Sequence, residues 1–210
     1  LDECVRVMKK INAFFFCSRE QIPMYIEYFS ALGANIQLLT WSKTDVPPLC
    51  NGKYLSDTEY IIYAYESNTD ERYTLITDHF ITKKVRSSKN DPLYHPTKKP
   101  IDILSSLIQS ASKENDIVLD MFSGSASTAV ACIETGRKFI GFELMEKYYK
   151  VGNKRIAIAL EEHSEYKLES TPLVSKSDIV SGNATSMFDA IDDGNIDLAI
   201  LDICGKGNDI

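Results

Sequence analysis

Residues 116–149 read DIVLDMFSGSASTAVACIETGRKFIGFELMEKYY, and the fold class can be predicted from these residues. The apolar run at 117–119 ends in an acid, Asp120, and a turn of small residues follows at 122–127. Apolar residues then recur at helical spacing over about residues 128–135. The pattern predicts a buried strand, a tight loop and a helix.

A second strand pattern, at residues 138–142, ends in another acid, Glu143. The two strands and the helix between them form a βαβ unit of an open parallel sheet, which binds ligands at the carboxyl ends of its strands. An acid that ends the second strand, about twenty residues beyond the loop, can accept both ribose hydroxyls of a nucleoside. The predicted ligand therefore contains a ribose.

The loop between the first strand and the helix narrows the choice of nucleoside. It lacks the full G-x-G-x-x-G spacing and contains no G-K-[ST], so close approach of the backbone to a pyrophosphate or triphosphate is not indicated. Asp120 places a negative charge where a phosphate would lie, but that charge suits an ammonium group. S-adenosylmethionine, a nucleoside with a cationic amino-acid tail, therefore fits better than NAD or ATP. The alternative is a structural unit whose small residues serve helix packing.

Two sequence blocks carry a resemblance to a known family. They are HPTKKP at residues 95–100 and DMFSGS at residues 120–125. At this spacing they resemble the cofactor half of the beta-class amino-methyltransferases of DNA, bacterial and phage enzymes that methylate the exocyclic nitrogen of adenine or cytosine with S-adenosylmethionine. The resemblance spans about residues 1–156 and implies an α/β fold, the Rossmann-like three-layer S-adenosylmethionine-dependent methyltransferase fold.

The resemblance also implies which residues bind the cofactor. Those at the cofactor loop are Asp120, Phe122, Gly124, Ser125 and Glu143, and those that shape the methionine end are His95, Thr97 and Lys99. Two residues depart from the family pattern, because Ala126 replaces a second glycine and Met121 replaces a proline. Alanine is expected to be tolerated if its φ is negative, with a shifted loop as the alternative. The family's W-x-K block and the acid of its tyrosine-rich strand match Trp41 to Lys43 and Glu59, without an assigned role.

The composition is that of one globular domain, with 210 residues of which 44% are hydrophobic and 25% charged. No membrane-length apolar run and no signal peptide is present, so we expect an intracellular protein without a membrane partner. The five cysteines lack C-x-x-C spacing and the three histidines are isolated. This predicts reduced core thiols and no metal site.

The net charge of -7 argues against a protein that coats nucleic acid indiscriminately. A local basic surface is available at Lys83, Lys84, Arg86 and Lys89, and the alternative is a solvated loop. The resemblance places the target-recognition segment at residues 68–90. Since this segment is short, selectivity among sequences of double-stranded DNA is expected to be modest or to depend on a second subunit or domain. A restriction endonuclease is a further candidate partner. The oligomeric state stays open.

The chain is predicted to divide into a methyltransferase domain (1–162), a polar linker (163–177) and a last segment (178–210). That segment either completes the sheet or begins a second repeat. The further predicted elements are helices at 1–10, 19–32, 146–162 and 185–191 and strands at 13–17, 35–41, 59–65, 73–76, 80–81, 179–180 and 196–201.

The catalytic motif of the family, D/S/N-P-P-Y/F/W, has no clean match. Residues 45–48 and 91–94 look similar but are interpreted as turns. The run at residues 197–202 resembles the strand that precedes the motif, yet residues 203–205 read Ile-Cys-Gly where the family has Pro-Pro-Tyr. Asp202 is the remaining candidate for hydrogen bonding the target amine.

Three explanations stay open for the missing motif. The motif lies before Leu1, or the arrangement is permuted with a degraded motif after Leu201, or a second degenerate repeat begins here. We therefore expect no turnover by the 210-residue chain alone.

The chain is predicted to be a site-specific DNA amino-methyltransferase that uses S-adenosylmethionine. It is expected to be cytoplasmic and encoded by a bacterium or a phage. The alternatives are a catalytically inactive subunit that binds cofactor or DNA, and an oxidoreductase that binds NAD through the same βαβ unit.

Overall fold

A computed structural model describes residues 1–46, 57–66, 77–82, 93, 98–164, 179–181 and 191–202. The elements of the described residues are α1 (Asp2–Val7), β1 (Asn12–Cys17), α2 (Ile22–Ala31), β2 (Asn35–Lys43), β3 (Thr58–Tyr65), β4 (His79–Thr82), α3 (Ile101–Ala111), β5 (Ile117–Asp120), α4 (Ser127–Thr135), β6 (Lys138–Glu143), α5 (Glu146–Ser164), β7 (Ile179–Ser181) and β8 (Leu198–Asp202).

The described strands form a single mixed sheet in the order β4-β2-β3-β1-β8-β5-β6-β7. The five strands from β1 to β7 in this order pair in parallel, as do β2 and β4. Only β3 runs antiparallel to its two neighbours, β1 and β2. Because of this reversal, the beginning of β3 meets the carboxyl ends of β1, β8, β5 and β6 at one edge of the sheet.

Helices cover both faces of the sheet, which confirms the predicted three-layer α/β fold. Alternate residues of a strand point to opposite faces, and β1 shows this clearly because its whole length is buried. Phe14 and Phe16 belong to the apolar cluster with α3, α4 and α5. Phe15 and Cys17 belong to the cluster with α1 and α2.

The strand at the end of the described chain, β8, occupies the centre of the sheet. It lies between β1 and β5, with Phe16 beside Asp202 and Val118 beside Leu198. Its four residues before Asp202 are buried, as the continuous apolar run Leu-Ala-Ile-Leu requires. Asp202 therefore ends a strand that is fixed on both sides.

The structure confirms the predicted βαβ unit, since β5, α4 and β6 begin and end within one residue of the expected positions. Three helices differ from the prediction. The helix α1 ends at Val7, three residues earlier than expected, because the backbone of Met8 is extended. The helix α2 begins at Ile22, three residues later than expected, because Pro23 takes one of its first two positions. The helix α3, which was not predicted, begins after Pro100. The predicted strand at 73–76 and residues 185–190 of the predicted helix lie outside the described residues.

The thiols in the described part of the chain are buried and free, as predicted for Cys4, Cys17 and Cys132, while Cys50 and Cys204 lie outside it. Burial raises the pKa of Cys4 to about 12 and that of Cys17 to about 11. Among the described residues, no cluster of His, Cys, Asp and Glu could hold a metal ion, and no helix is long and apolar enough to span a membrane.

A substitution at Gly141 tests how tightly β6 supports the loop after β5. A Cβ atom there would overlap Ser123 Oγ and the buried ring of Phe139. We expect Gly141→Ala to lower the free energy of unfolding by about 2–3 kcal/mol in urea denaturation. The control is Gly33→Ala, where φ is +77° and open space surrounds the Cβ position. Here only the left-handed backbone conformation should lower the free energy of unfolding, by about 1 kcal/mol. Equal losses in both variants would contradict the close packing at Gly141.

Candidate functional site

A cleft opens at the carboxyl edge of the sheet, where β5 and β8 end side by side. Its lining comes from the strand-end acids Asp120 and Asp202, from residues 122–125, 127 and 128 of the loop and from Lys98 and Lys99 before α3. The strands place the acids, and the loop supplies small side chains. The position agrees with the predicted ligand site at the strand ends.

Asp120 accepts hydrogen bonds from both ends of the loop. Its Oδ1 accepts the N–H of Phe122 at 3.0 Å, and its Oδ2 accepts the hydroxyl of Thr128 at 2.7 Å. The side chain is only 3% exposed, and burial raises the pKa of Asp120 to about 7, although both hydrogen bonds oppose the shift and the charges of Asp202 and Glu143 add to it. This carboxyl group therefore changes its charge near neutral pH.

The loop backbone adopts left-handed conformations at two residues, Gly124 with φ +52° and Ala126 with φ +62°. Glycine adopts this region freely, whereas an L-residue such as alanine pays about 1–2 kcal/mol. The negative φ under which alanine was expected to be tolerated is therefore not present at Ala126. The structure keeps the glycine-like backbone at this position, and the surrounding contacts must offset the strain.

Arg155, from the middle of α5, reaches the loop from the side of the helix layer. Its Nη1 donates to the carbonyl oxygen of Ser125 and lies 3.0 Å from Ser125 Oγ and 3.1 Å from Ser127 Oγ. These contacts lie on both sides of Ala126. Sequence reasoning gave Arg155 no role, because a single arginine on a long polar helix has no pattern that indicates a partner thirty residues earlier.

Glu143, at the end of β6, faces the loop and not the core. Its Oε2 accepts the N–H of Gly124 at 2.8 Å, and its Oε1 accepts the N–H of Met145 at 2.7 Å. Burial raises the pKa of Glu143, with the backbone hydrogen bonds acting in the opposite direction. The backbone groups of Gly124, Leu144 and Met145 use at most three of the four lone pairs of the carboxylate, so Glu143 can still accept a hydroxyl group of a ligand.

Three large apolar side chains lie exposed beside these groups. Phe122 is 44% exposed, and Leu144 and Met145, which follow Glu143, are 72% and 54% exposed. The hydrogen bond between Gly124 and Glu143 brings the two segments together. An exposed apolar surface next to polar acceptors is typical of a site for a flat ring with a polar substituent.

Lys99 joins the two halves of the sheet at the same edge. Its ammonium is 2.9 Å from Glu59 Oε2 and 3.0 Å from Asp202 Oδ2, and it lies 5.2 Å from the centre of the Phe16 ring. Glu59 also pairs with Lys43. Lys99 therefore bridges β3 and β8 across the end of β1.

The charges in this network balance, with two ammonium groups and two carboxylates. Lys99 is only 7% exposed, and a buried cation is stable only when carboxylates compensate it. Burial alone would raise the pKa of Glu59, but the charges and hydrogen bonds of Lys99 and Lys43 outweigh it and the pKa lies below its usual value. The sequence indicated these residues only through the resemblance, which gave Glu59 and Lys43 no role and placed Lys99 at the methionine end.

The structure thus brings six of the predicted site residues to one edge of the sheet. They are Lys99, Asp120, Phe122, Gly124, Ser125 and Asp202, with Glu143 bonded to the loop from the next strand. The remaining predicted residues, His95 and Thr97 at the methionine end and Lys83, Lys84, Arg86 and Lys89 for DNA, lie outside the described residues, as do residues 203–205.

Residues 1–154 match the DNA methylase family. The chain belongs to this family. The match covers all strands from β1 to β6 and the whole loop of the cleft. It confirms the predicted resemblance of this DNA methylase chain to the amino-methyltransferases of DNA.

Individual relatives agree with the family match. Type II methyltransferase M2.LlaDCHI of Lactococcus lactis subsp. cremoris is 33% identical over 132 residues, which are 56% of this chain and 49% of that protein. DNA adenine methyltransferase YhdJ of Escherichia coli (strain K12) is 40% identical over 93 residues, which are 44% of this chain and 30% of that protein. The chain thus spans about half or less of the length of these curated relatives.

A solved structure supports the same fold. The crystal structure of the M1.HpyAVI–SAM complex superposes with a TM-score of 0.59 and 27% identity, over 68% of this chain and 72% of that chain. This neighbour is a complex with S-adenosylmethionine.

The pKa of Asp120 predicts a pH-dependent stability. The folded value, about 7, lies above that of an unfolded aspartate, about 3.9. Between these values the folded state keeps a proton that the unfolded state has released, so the free energy of unfolding falls as pH rises and the loss is complete above the folded pKa. Since asparagine does not titrate, Asp120→Asn should gain about 2 kcal/mol relative to the wild type between about pH 5.5 and pH 8.

Urea denaturation at several pH values measures this difference. The matched control is Asp102→Asn, at an exposed position in the first turn of α3. If both variants changed with pH by the same amount relative to the wild type, the buried carboxyl of Asp120 would not be the cause.

Proposed function

We propose that this DNA methylase chain binds S-adenosylmethionine in the cleft and takes part in methyl transfer to the exocyclic amine of adenine or cytosine in DNA. The observation that carries the proposal is the arrangement of two strand-end acids, Asp120 and Glu143, around a loop of small residues. Family membership and the likeness to the M1.HpyAVI–SAM complex support it.

The donor groups of the cleft fit this cofactor. Glu143 offers paired carboxylate oxygens for the two ribose hydroxyls. Asp120 offers a carboxylate whose negative charge a cationic ligand would favour at neutral pH. The exposed faces of Phe122, Leu144 and Met145 suit the adenine ring. We place His95, Thr97 and Lys99 at the methionine end and Gly124 and Ser125 against the ligand, as the resemblance implies.

The reaction needs little from the protein beyond position and polarity. When bound, S-adenosylmethionine would supply an electrophilic methyl group on its sulfonium. Asp202, at the end of β8, would accept a hydrogen bond from the target amine and orient its lone pair. The target base must leave the duplex stack to reach a cleft at the strand ends.

We further propose that residues 178–202 belong to the methyltransferase domain, since β7 and β8 pair with its sheet. The proposed partner is double-stranded DNA, bound through Lys83, Lys84, Arg86 and Lys89 in the recognition segment at 68–90. A restriction endonuclease or a second subunit is a further proposed partner. The relatives named above are bacterial, and we propose a bacterial or phage-encoded protein of the cytoplasm.

Cofactor binding is tested by calorimetric titration of the 210-residue chain. We expect binding of S-adenosylmethionine and none of NAD, because the cleft combines acids with a loop unsuited to a pyrophosphate. Glu143→Gln should weaken binding at least about tenfold, or about 1.4 kcal/mol, because an amide replaces one of the two acceptors. Glu146→Gln, at an exposed position in the first turn of α5, is the matched control. Binding of NAD in preference would refute the proposal.

Methyl transfer is tested with tritiated S-adenosylmethionine and unmethylated genomic DNA. We expect no labelled DNA from the chain as it stands, since Ile203, Cys204 and Gly205 supply neither the fixed turn nor the ring that would hold a flipped base. The triple variant Ile203→Pro, Cys204→Pro, Gly205→Tyr should label DNA, because β8 already delivers Asp202 to the cleft.

Adding Asp202→Ala to the triple variant should reduce its rate at least about a hundredfold, because the amine loses its hydrogen-bond acceptor. Labelled DNA from the unchanged chain would show that the Asp202 region is competent without the motif. Cofactor binding without label in any variant would favour a binding subunit over an enzyme.

A further inference from the structure

The cofactor loop contains a backbone conformation that its own sequence does not favour. Ala126 has φ +62° and ψ +37° and is fully buried. Gly124, two residues earlier, has a similar φ but carries no side chain that opposes it. An alanine in this region persists only where the surrounding structure determines its conformation.

Arg155 contacts the peptide group whose rotation sets this conformation. The guanidinium donates to the carbonyl oxygen of Ser125, which belongs to the peptide group between Ser125 and Ala126. Rotation of that peptide group sets φ of Ala126, so a bond to its carbonyl oxygen fixes the rotation. The same nitrogen lies within 3.1 Å of the hydroxyls of Ser125 and Ser127.

The other side-chain contacts of the loop act elsewhere. Asp120 bonds to Phe122 and Thr128, and Glu143 bonds to Gly124. The amide of Ala126 belongs to the same peptide group and bonds to the carbonyl of Ser123 at 2.7 Å, so this turn holds the N–H side of the group while Arg155 holds its carbonyl side. Among the described contacts, Arg155 is the side chain that bonds this carbonyl.

We infer that Arg155 is a positioning residue for the cofactor: its guanidinium holds the Ser125–Ala126 peptide so that Gly124 and Ser125 face the cleft. The inference rests on the proposed binding of S-adenosylmethionine. Without Arg155, Ala126 would relax to negative φ, the peptide would rotate, and Gly124 and Ser125 would leave their places in the lining of the cleft. Binding would then include the cost of restoring the loop.

Two substitutions and their combination test this mechanism. Arg155→Met removes the guanidinium and keeps an apolar side chain of similar length. Ala126→Gly removes the Cβ atom that opposes the left-handed conformation. Lys154→Met is the matched control, because it removes a cation from an exposed neighbouring position of α5. Calorimetry with S-adenosylmethionine gives the affinity of each variant, and thermal melting reports whether it is folded.

Arg155→Met should weaken binding about tenfold, or about 1.4 kcal/mol, while Ala126→Gly and Lys154→Met should stay within about threefold of the wild type. The double variant should recover most of the loss, because glycine holds the conformation without the guanidinium. The affinity of Arg155→Lys should lie between that of Arg155→Met and that of the wild type. An ammonium can bond the carbonyl oxygen but lacks the several fixed donors of a guanidinium. A purely structural role would lower the melting temperature without any recovery by Ala126→Gly.

Wild-type affinity in Arg155→Met, or a loss that Ala126→Gly does not reduce, would overturn the inference. Heteronuclear NMR tests it without any ligand, because the resonances of residues 124–127 should shift in Arg155→Met and return in the double variant. Such shifts in a chain that does not bind S-adenosylmethionine would sustain the role of Arg155 in the loop and refute the proposed function. If Arg155→Met does not fold, the same resonances in Arg155→Lys decide, and their invariance would overturn the inference.

Discussion

The buried carboxyl group of Asp120 is the constraint on which the cleft depends. It ends the central strand β5 and accepts hydrogen bonds from both ends of the loop that follows, at Phe122 and Thr128. Burial of a carboxyl group costs free energy, which is why its pKa lies near neutrality. The two hydrogen bonds of Asp120 fix both ends of the loop to one rigid strand. A ligand site at a strand end requires this geometry.

The middle of the loop is fixed from two other elements. Glu143 bonds the amide of Gly124 from β6, and Arg155 bonds the carbonyl of Ser125 from α5. Three elements thus hold a segment in which Ala126 occupies the left-handed region. Such a segment is stable only when surrounding contacts hold its backbone conformation. The shape of the cofactor loop therefore depends on β5, β6, α4 and α5 together.

The opposite side of the cleft depends on a charge network that links the parallel and antiparallel parts of the sheet. The reversal of β3 brings Glu59 to the edge at which β8 ends with Asp202, and Lys99 bridges the two carboxylates over Phe16. A buried ammonium between two carboxylates resists displacement, because removing either acid leaves a charge without compensation. The position of Asp202 beside the cleft follows from this network and from the register of β8 against β1.

The βαβ unit, the family and most of the cleft residues could be predicted from the sequence. Asp120 and Glu143 follow buried strands directly, and the parallel arrangement of those strands makes their ends meet. The sequence could not determine the positive φ of Ala126, the bond from Arg155, or the partners of Lys99. Those depend on residues far apart in the chain, and side-chain periodicity carries information only about neighbours within a few residues. The central position of β8 could be seen only in the folded chain, because an apolar run such as 198–201 fits any buried strand. Its place in the sheet is set by pairing with β1 and β5.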